Sequence, residues 1–314
     1  MSAKAKKFEI EKIPADFDFD EFHTKYFVPE RPVVMQGIGQ KIQRGEELTI
    51  ENIREKIVEK GLATVNTFWF EGPSEMLELL ADTPEIVARE MAESHLREKH
   101  CRLWLNGPGN LTPSHYDGNM LFVFNLQLKG RKEWRIVSPD TPMRNYPFSR
   151  AALFPSEENS EPQKGIEYCD FALEEGDMIY LPPMWHHAVK ATAPQNININ
   201  WIGTRKSGHV YSKTLQRERE LLKYAHLCYK LTGRTKLHNK ILGAGIEGYL
   251  ENYGGVGWDF IAEQTTDVKL HQVALRFFKE VAMAPFALKD SKKLKAQMKK
   301  KPLDSVKKEK PAVA

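Results

Sequence analysis

From Cys101 onward, the apolar residues of this 314-residue chain alternate with polar ones, whereas upstream they recur at helical spacing. Alternation with a period of two is the pattern of β-strands. The predicted strands cover residues 101–105, 120–128, 132–137, 171–173, 178–181, 186–191 and 196–202. Many short strands separated by turn signals favour a double-sheet jelly roll.

Helices flank this strand-rich block. Residues 20–27 are predicted to form a short helix that leads into a first strand at 31–37. Thr49 is placed to cap a helix over 50–60, and Pro84 is placed to begin one that runs to about Lys99. Helical spacing returns beyond Arg205, over 210–231, 236–250 and 267–283. The predicted fold is therefore mainly β with α, a double-stranded β-helix with N-terminal helices and a C-terminal helical extension.

The predicted domain organisation has four parts: a basic, irregular segment (1–20), a jelly-roll domain with its leading helices (21–205), a helical region (206–288) and a lysine-rich disordered tail (289–314). In the last predicted helix, Val268, Val273, Phe277 and Val281 form an apolar face. This face either docks on the jelly roll or forms a homodimer interface. The segment 140–168, rich in Pro, Ser and Glu, is predicted to be a loop over the mouth of the barrel.

Charge and cysteine content narrow the class of protein. The chain has 46 Lys and Arg against 42 Asp and Glu, a net charge of +4, so it is not polybasic overall. Its start lacks the apolar core of a secretory signal, and no apolar run is long enough to span a membrane. Three widely spaced cysteines indicate reduced thiols. We therefore expect a cytoplasmic or nuclear protein without a membrane partner.

One pattern points to metal chemistry. His115 and Asp117 are two residues apart, so on an extended strand both side chains point to the same side. About seventy residues later comes the pair His186 and His187. Two imidazoles with one carboxylate are the ligand set of non-haem Fe(II) oxygenases, and they leave positions open on an octahedral iron.

The two adjacent histidines are predicted to face opposite sides of their strand. His186 shares a face with Lys190, which is expected to lie in water, whereas His187 shares a face with Trp185 and Val189. His187 is therefore the predicted third ligand.

A lysine on a neighbouring strand is predicted to bind an anion. Lys132 alternates onto the same face as Trp134 and Ile136. A lysine pointing into an apolar interior is costly unless an anion meets it. The distal carboxylate of 2-oxoglutarate would suit that position.

A row of asparagines occupies one face of the last predicted strand, at Asn196, Asn198 and Asn200. The row either lines a polar cavity or forms the wet outside of an edge strand. Asn200 is the best candidate for the interior.

Four motifs together resemble a known family: T-P-S-H-Y-D at 112–117, L-K-G-R-K-E-W at 128–134, E-E-G-D-M-I-Y-L-P-P-M-W-H-H at 174–187 and N-I-N-W at 198–201. The combination resembles the JmjC-type, cupin-like 2-oxoglutarate oxygenases. Within them it is similar to the small hydroxylases typified by the asparaginyl hydroxylase of hypoxia-inducible factor. The resemblance covers roughly residues 22–205.

The resemblance implies His115, Asp117 and His187 as iron ligands. It also implies Lys132 and Thr112 as partners of the 2-oxoglutarate side-chain carboxylate, with Asn200 near the cosubstrate. The spacing from Asp117 to Lys132 is two residues longer than is usual in the family. Asn119 and Asn125 therefore compete for the role of the family's cosubstrate-binding asparagine.

The expected activity is Fe(II)- and 2-oxoglutarate-dependent hydroxylation of a protein or peptide side chain, with release of succinate and CO2. One alternative keeps the chemistry and changes the substrate to a tRNA base or a small metabolite. A basic patch of Arg131, Arg135, Arg144, Arg150 and Lys164 would favour RNA. A second alternative is a cupin-like binding protein without turnover.

Overall fold

A computed structural model of the chain describes residues 6–42, 49–59, 69–72, 77–78, 80–92, 94, 101–118, 120–141, 143–152, 166–204, 213–233 and 261–299. The strands are β1 (Lys6–Lys7), β2 (Glu11–Pro14), β3 (Val33–Gln36), β4 (Trp69–Gly72), β5 (Cys101–Asn106), β6 (Leu111–His115), β7 (Leu121–Lys129), β8 (Lys132–Val137), β9 (Glu167–Leu173), β10 (Met178–Leu181), β11 (His186–Ala191) and β12 (Asn196–Thr204). The helices are α1 (Phe19–Phe22), which continues as a π-helix (His23–Phe27), α2 (Ile38–Ile42), α3 (Ile50–Glu59), α4 (Glu85–Met91), α5 (Lys213–Thr232) and α6 (Leu270–Lys299).

The strands form two sheets. One has the order β1-β9-β8-β11-β6 and the other β2-β3-β10-β7-β12-β5-β4. The consecutive strands β5 to β12 are divided between the sheets as 9-8-11-6 and 10-7-12-5, which is the strand order of a jelly roll. Strands β5, β8, β10, β11 and β12 begin at the predicted residues, whereas β6 is not among the predicted strand ranges. The predicted double-stranded β-helix is confirmed.

The seven-stranded sheet is buried on both faces. Its inner face packs against the five-stranded sheet through an apolar cluster that includes Val123 and Ile202 from one sheet and Trp134 and Ile136 from the other. Its outer face packs against the N-terminal helices through a second cluster, in which Phe22 and Phe27 contact the strand residues Phe122, Phe124 and Tyr180. The inner face therefore lies between the sheets, where the predicted site residues are found.

Three predictions about flanking segments need correction. Residues 1–20 are not wholly irregular, because β1 pairs in parallel with β9 and β2 pairs in parallel with β3. The helix that follows Pro84 ends at Met91 rather than near Lys99, and residues 95–100 lie outside the described part. The helix α6 continues through Lys299, so a disordered tail does not begin at Lys289. Alanine, leucine, lysine, glutamine and methionine dominate this stretch, and all are strong helix formers.

Other flanking elements agree with the sequence. The Thr49 side chain accepts a hydrogen bond from the Asn52 N–H at 3.1 Å and caps α3 as predicted. The predicted helix over 236–250 and the tail beyond Lys299 lie outside the described residues. Among the described helices, none has the length and apolar character needed to cross a membrane. The boundary between the jelly-roll domain and the helical region, near residue 205, remains a prediction.

The predicted apolar face of the last helix is only half buried. Val268 and Val273 are 9% and 5% exposed, whereas Phe277 and Val281 are 37% and 47% exposed. Helix α6 packs along α5, where Arg276 forms an ion pair with Glu220 at 2.6 Å. The helical extension is thus attached to the rest of the protein by polar contacts as well as apolar ones.

Candidate metal centre

Strand pairing brings the two predicted imidazole ligands together. In the antiparallel pair β6–β11, His115 lies directly opposite His187, and their ring centroids are 4.3 Å apart. Strand β6 ends at His115, so Asp117 lies just beyond it rather than on it. The Asp117 carboxylate still reaches both rings, with Oδ1 3.9 Å from Nε2 of His115 and Oδ2 3.9 Å from Nε2 of His187. One potential ligand atom from each residue lies within 4.8 Å of the others.

Hydrogen bonds to the backbone set the tautomer of both imidazoles. Nδ1 of His115 is 2.8 Å from the carbonyl oxygen of Pro113, and Nδ1 of His187 is 3.1 Å from that of Trp185. Because a carbonyl oxygen only accepts, each Nδ1 must carry the proton. Each Nε2 therefore presents a lone pair toward Asp117, which is the arrangement that a metal ion requires.

Burial and neighbouring charges shift the pKa values of His187 and Asp117. Burial, followed by the nearby His115, lowers the pKa of His187 to about 4, so this ring is neutral near pH 7. Burial alone would raise the pKa of Asp117, but His187, His115, Arg102 and Arg150 together bring it below its ordinary value. The cluster thus offers a neutral imidazole at His187 and a carboxylate at Asp117, with the His115 ring beside them.

His186 faces away from this cluster, as predicted. It is fully buried, its Nε2 lies 3.1 Å from the Asn145 amide nitrogen, and its ring meets the edge of Tyr116. Burial and, next, Arg217 lower its pKa to about 3, so it is a neutral packing residue. His187, in contrast, stacks on Trp134 inside the jelly roll.

Lys132 lies in the interior, as its alternation predicts. It is 5% exposed, and its ammonium group donates to Oδ1 of Asn106 at 2.8 Å. Among the described residues, the structure gives it no carboxylate partner. Burial lowers its pKa to about 7. A buried ammonium with a neutral partner and further donors to offer fits an incoming carboxylate.

A β-bulge places Thr112 on the face of His115. His187 pairs with His115. Val189 lies two residues after His187, but it pairs with Thr112, which lies three residues before His115. The extra residue on β6 brings Thr112 to the inner side, where simple alternation would have turned it outward. Pro113 lies within the bulge, and a proline inside a strand is the sequence signal for such a site.

The asparagine row faces the interior. Asn196 and Asn198 are fully buried, and a chain of side-chain amides runs from Asn198 to Asn125, at 3.1 Å, and on to Asn200. Of the two competing asparagines, Asn125 is therefore the one that meets Asn200, while Asn119 lies outside the described residues.

Sequence reasoning missed Asn106, although a signal was present. In β5, Cys101, Leu103 and Leu105 belong to the outer apolar cluster, so Arg102, Trp104 and Asn106 alternate onto the inner face. The segment 101–105 was recognised as a strand without this polar face being assigned to the site.

The predicted basic patch is largely neutralised. Arg131 forms ion pairs with Glu133 and Glu174, and Arg135 is buried in a bidentate pair with Asp170. Arg150 lies 3.5 Å from Glu218, and Lys164 is outside the described residues. These pairs offset the charge of Arg131, Arg135 and Arg150, which an RNA backbone would need, whereas Arg144 is exposed.

Comparison with known proteins agrees with this geometry. Residues 87–208 match the sequence profile of the JmjC domain. The chain is 29% identical over 114 residues to a lysine-specific demethylase of Arabidopsis thaliana, covering 33% of this chain and 26% of the relative. It is 32% identical over 116 residues to a bifunctional lysine-specific demethylase and histidyl-hydroxylase of Dictyostelium discoideum, covering 34% and 20%. It is 38% identical over 71 residues to ribosomal oxygenase 2 of Rattus norvegicus, covering 22% and 13%.

The resemblance to JmjC-type, cupin-like oxygenases is thereby confirmed, whereas the narrower resemblance to the asparaginyl hydroxylase stays a prediction. The chain spans only about a quarter or less of the length of these relatives.

Proposed function

We propose that the protein, in which residues 87–208 match the JmjC domain, is an Fe(II)- and 2-oxoglutarate-dependent dioxygenase that hydroxylates a side chain of a protein or peptide. The observation that carries the proposal is the convergence of His115, Asp117 and His187, in which both Nδ1 atoms bond to the backbone and both Nε2 atoms lie 3.9 Å from the carboxylate. This donor set suits Fe(II) and leaves positions open for a cosubstrate and dioxygen.

The chain's own residues divide the work of binding. His115, Asp117 and His187 hold the metal. Lys132 binds the distal carboxylate of 2-oxoglutarate, and the Thr112 hydroxyl assists from the bulge in β6. Asn200, held by Asn125, orients the cosubstrate from the opposite sheet.

Together, iron and 2-oxoglutarate supply the oxidation, in which 2-oxoglutarate, dioxygen and a C–H bond give succinate, CO2 and an alcohol. The protein contributes the placement of the groups and the exclusion of bulk water. The apolar cluster that includes Trp134 and Val189 separates His187 from solvent, and His187 is 6% exposed.

A protein substrate is supported by the relatives, whose names describe activity on lysine and histidine side chains and on the ribosome. Removal of an N-methyl group begins with the same hydroxylation, so the product distinguishes the two outcomes. A tRNA substrate has weaker support, since Arg131 and Arg135 of the predicted basic patch are paired with carboxylates.

The test is an assay of the full chain with Fe(II), ascorbate and 2-oxoglutarate on an array of synthetic peptides that vary the central side chain, with methylated lysine included. We expect succinate to form together with a peptide that has gained one oxygen atom in mass spectrometry. Asp117→Ala should give neither product, and Arg131→Ala, whose side chain lies outside the site, should give both. Formaldehyde release would indicate demethylation. If no succinate forms with any peptide of the array, the proposal is contradicted.

A further inference from the structure

Tyr116, the residue between two of the proposed metal ligands, points away from the metal centre. Its side chain is fully buried, and its hydroxyl donates to Oε2 of Glu218 on α5 at 2.6 Å. The same hydroxyl accepts a hydrogen bond from Nη1 of Arg217 at 2.8 Å. The ligand-bearing segment is thus tied directly to a helix that lies beyond the residues matching the JmjC domain.

From Arg217 the contacts extend to the last helix. Its Nε lies 3.0 Å from Oε1 of Glu280 on α6. Oε2 of Glu280 accepts from the Phe148 N–H at 3.0 Å, and Nη2 of Arg217 donates to the carbonyl oxygens of Tyr146 and Ser149. Two helices and the loop 146–149 therefore meet at one guanidinium.

The second flank of Asp117 is fixed by the same group of residues. A Cβ added at Gly118 would lie only 1.6 Å from Nε of Arg150, so the guanidinium packs directly on this part of the backbone. Arg150 lies 3.5 Å from Glu218, the acceptor of Tyr116. Its carbonyl oxygen also accepts from the Tyr116 N–H at 3.4 Å.

The charges in this network balance. Arg150 and Arg217 oppose Glu218 and Glu280, and the last three of these are 7%, 1% and 6% exposed. Buried charges persist only when each is paired, and removal of one partner leaves an uncompensated charge behind. The four side chains with Tyr116 therefore behave as one unit, which we call the tyrosine network.

The tyrosine network holds the residues next to Asp117, which lies beyond the end of its strand. Strand β6 ends at His115, so the strand ladder that fixes His115 and His187 does not extend to Asp117. The position of the carboxylate depends instead on the residues on either side of it, Tyr116 and Gly118. Both are held by the tyrosine network.

We propose that Tyr116, Arg217 and Glu280 are positioning residues of the metal centre, through which α5 and α6 hold Asp117 at the point where both imidazole lone pairs converge. The inference rests on the proposed function, because it presupposes that the three ligands bind a metal. Metal affinity then depends on side chains about 100 and 160 residues away in sequence.

The test is titration of the full chain with Co(II), followed by its visible absorption, which reports both affinity and coordination geometry. Tyr116→Phe removes only the hydroxyl, and we expect Co(II) affinity to fall about fivefold with a changed spectrum. This is less than the 10- to 100-fold loss typical when a group bonded directly to a ligand is removed. Glu280→Gln should weaken binding by about threefold, although it lies on the far side of Arg217.

Tyr180→Phe is the matched control. Tyr180 is also fully buried, and its hydroxyl donates to the carbonyl oxygen of Phe27 at 3.4 Å on the other face of the sheet. The Co(II) affinity and the absorption spectrum of Tyr180→Phe should equal those of the wild type. Wild-type Co(II) binding in both Tyr116→Phe and Glu280→Gln would overturn the inference and leave the proposed function intact.

If Tyr116→Phe does not fold, Glu280→Gln decides alone: weakened Co(II) binding supports the inference and unchanged binding overturns it. A folded wild-type protein that binds no Co(II) would overturn the proposed function and the inference together. Thermal unfolding of each variant without metal establishes which proteins are folded.

Discussion

The two faces of the seven-stranded sheet are both buried, but the outer face is filled by apolar side chains, whereas the inner face combines apolar and amide side chains. On the outer face, aromatic rings from Phe22, Phe27, Phe122, Phe124 and Tyr180 lie 5.1 to 6.3 Å from their neighbours. On the inner face, the same strands carry amide side chains that hydrogen-bond one another. Burial is similar, so solvent exposure does not explain the difference.

The energetics of buried aromatic and buried polar side chains explain the difference between the two faces. An aromatic cluster needs only complementary shape, and it stabilises the fold through apolar burial. Buried amides and a buried ammonium gain little over an apolar filling and are costly if one partner is lost. Their presence on the inner face supports the proposal that this face binds a polar ligand, whereas the outer face stabilises the fold. Substitutions on the two faces should therefore separate function from folding.

The largest effect is expected from His187→Ala on the inner side of the jelly roll. Removal of one of three ligands should lower metal affinity more than about 100-fold and abolish turnover, since loss of partners one step further out already costs 10- to 100-fold. The folded state should survive, because the neutral ring forms no ion pair on which the fold depends. Metal content after dialysis measures the first effect, and thermal unfolding without metal measures the second. Retention of metal by the variant would show that His187 is not a ligand.

Phe124→Ala should show the reverse pattern on the outer face. Phe124 is fully buried against Phe22 and Tyr180, and removing a buried phenyl ring lowers the free energy of unfolding by about 3–5 kcal/mol. The fraction that remains folded should bind metal with wild-type affinity. Denaturant unfolding and Co(II) titration of the same sample would measure both. A comparable loss of metal affinity would contradict the separation of the two faces.

Lys132→Met tests the inner face through the pH dependence of the free energy of unfolding. The pKa of Lys132 is about 7 when folded and 10.5 ordinarily, so the unfolded chain binds more protons between these values. Wild-type stability should therefore rise with pH across this window, as the cost of the buried charge is relieved. The variant lacks that cost, so its free energy of unfolding at pH 6 should exceed that of the wild type by on the order of 3 kcal/mol. The difference should be smaller at pH 9.

The cosubstrate should stabilise the wild type but not the variant. At pH 7, 2-oxoglutarate is expected to raise the melting temperature of the metal-loaded wild type and to leave that of Lys132→Met unchanged, because only the ammonium group pairs with the carboxylate. Equal stabilisation of both proteins by 2-oxoglutarate would refute the role given to Lys132.

Thr112→Val should give the smallest effect. The substitution keeps the shape of the side chain and removes one hydroxyl, so the KM for 2-oxoglutarate should rise about fivefold, in line with the ~1 kcal/mol of a single hydrogen bond. The kcat should change little. Steady-state kinetics with varied 2-oxoglutarate provide the measurement, and Arg131→Ala is the control on the outside of the barrel. An unchanged KM in Thr112→Val would remove the hydroxyl from the site.

Much of the fold followed from local pattern. The predicted strands at 132–137, 178–181 and 186–191 coincide with β8, β10 and β11, and turns at Gly130 and Gly176 mark where β8 and β10 begin. The same alternation placed Lys132 inside and separated His187 from His186. Each of these inferences needed only neighbours within a few residues.

Other features had no local signal. Residues 217–220 read Arg-Glu-Arg-Glu, which is typical of a solvated helix face, yet Arg217 and Glu218 are buried because partners from distant segments meet them. The position of Asp117 beyond its strand likewise depends on contacts with Arg150 and α5. Long-range polar packing of this kind is set by tertiary structure, which the pattern of a single sequence does not contain.

The most direct test of the proposed oxygenase site is the visible absorption of the anaerobic protein on addition of Fe(II) and then 2-oxoglutarate. We predict a charge-transfer band in the wild type and in Arg131→Ala, its absence in His187→Ala, and a much higher 2-oxoglutarate requirement in Lys132→Ala. No band in a folded, iron-loaded wild-type protein would contradict the assignment of the inner face as a 2-oxoglutarate site.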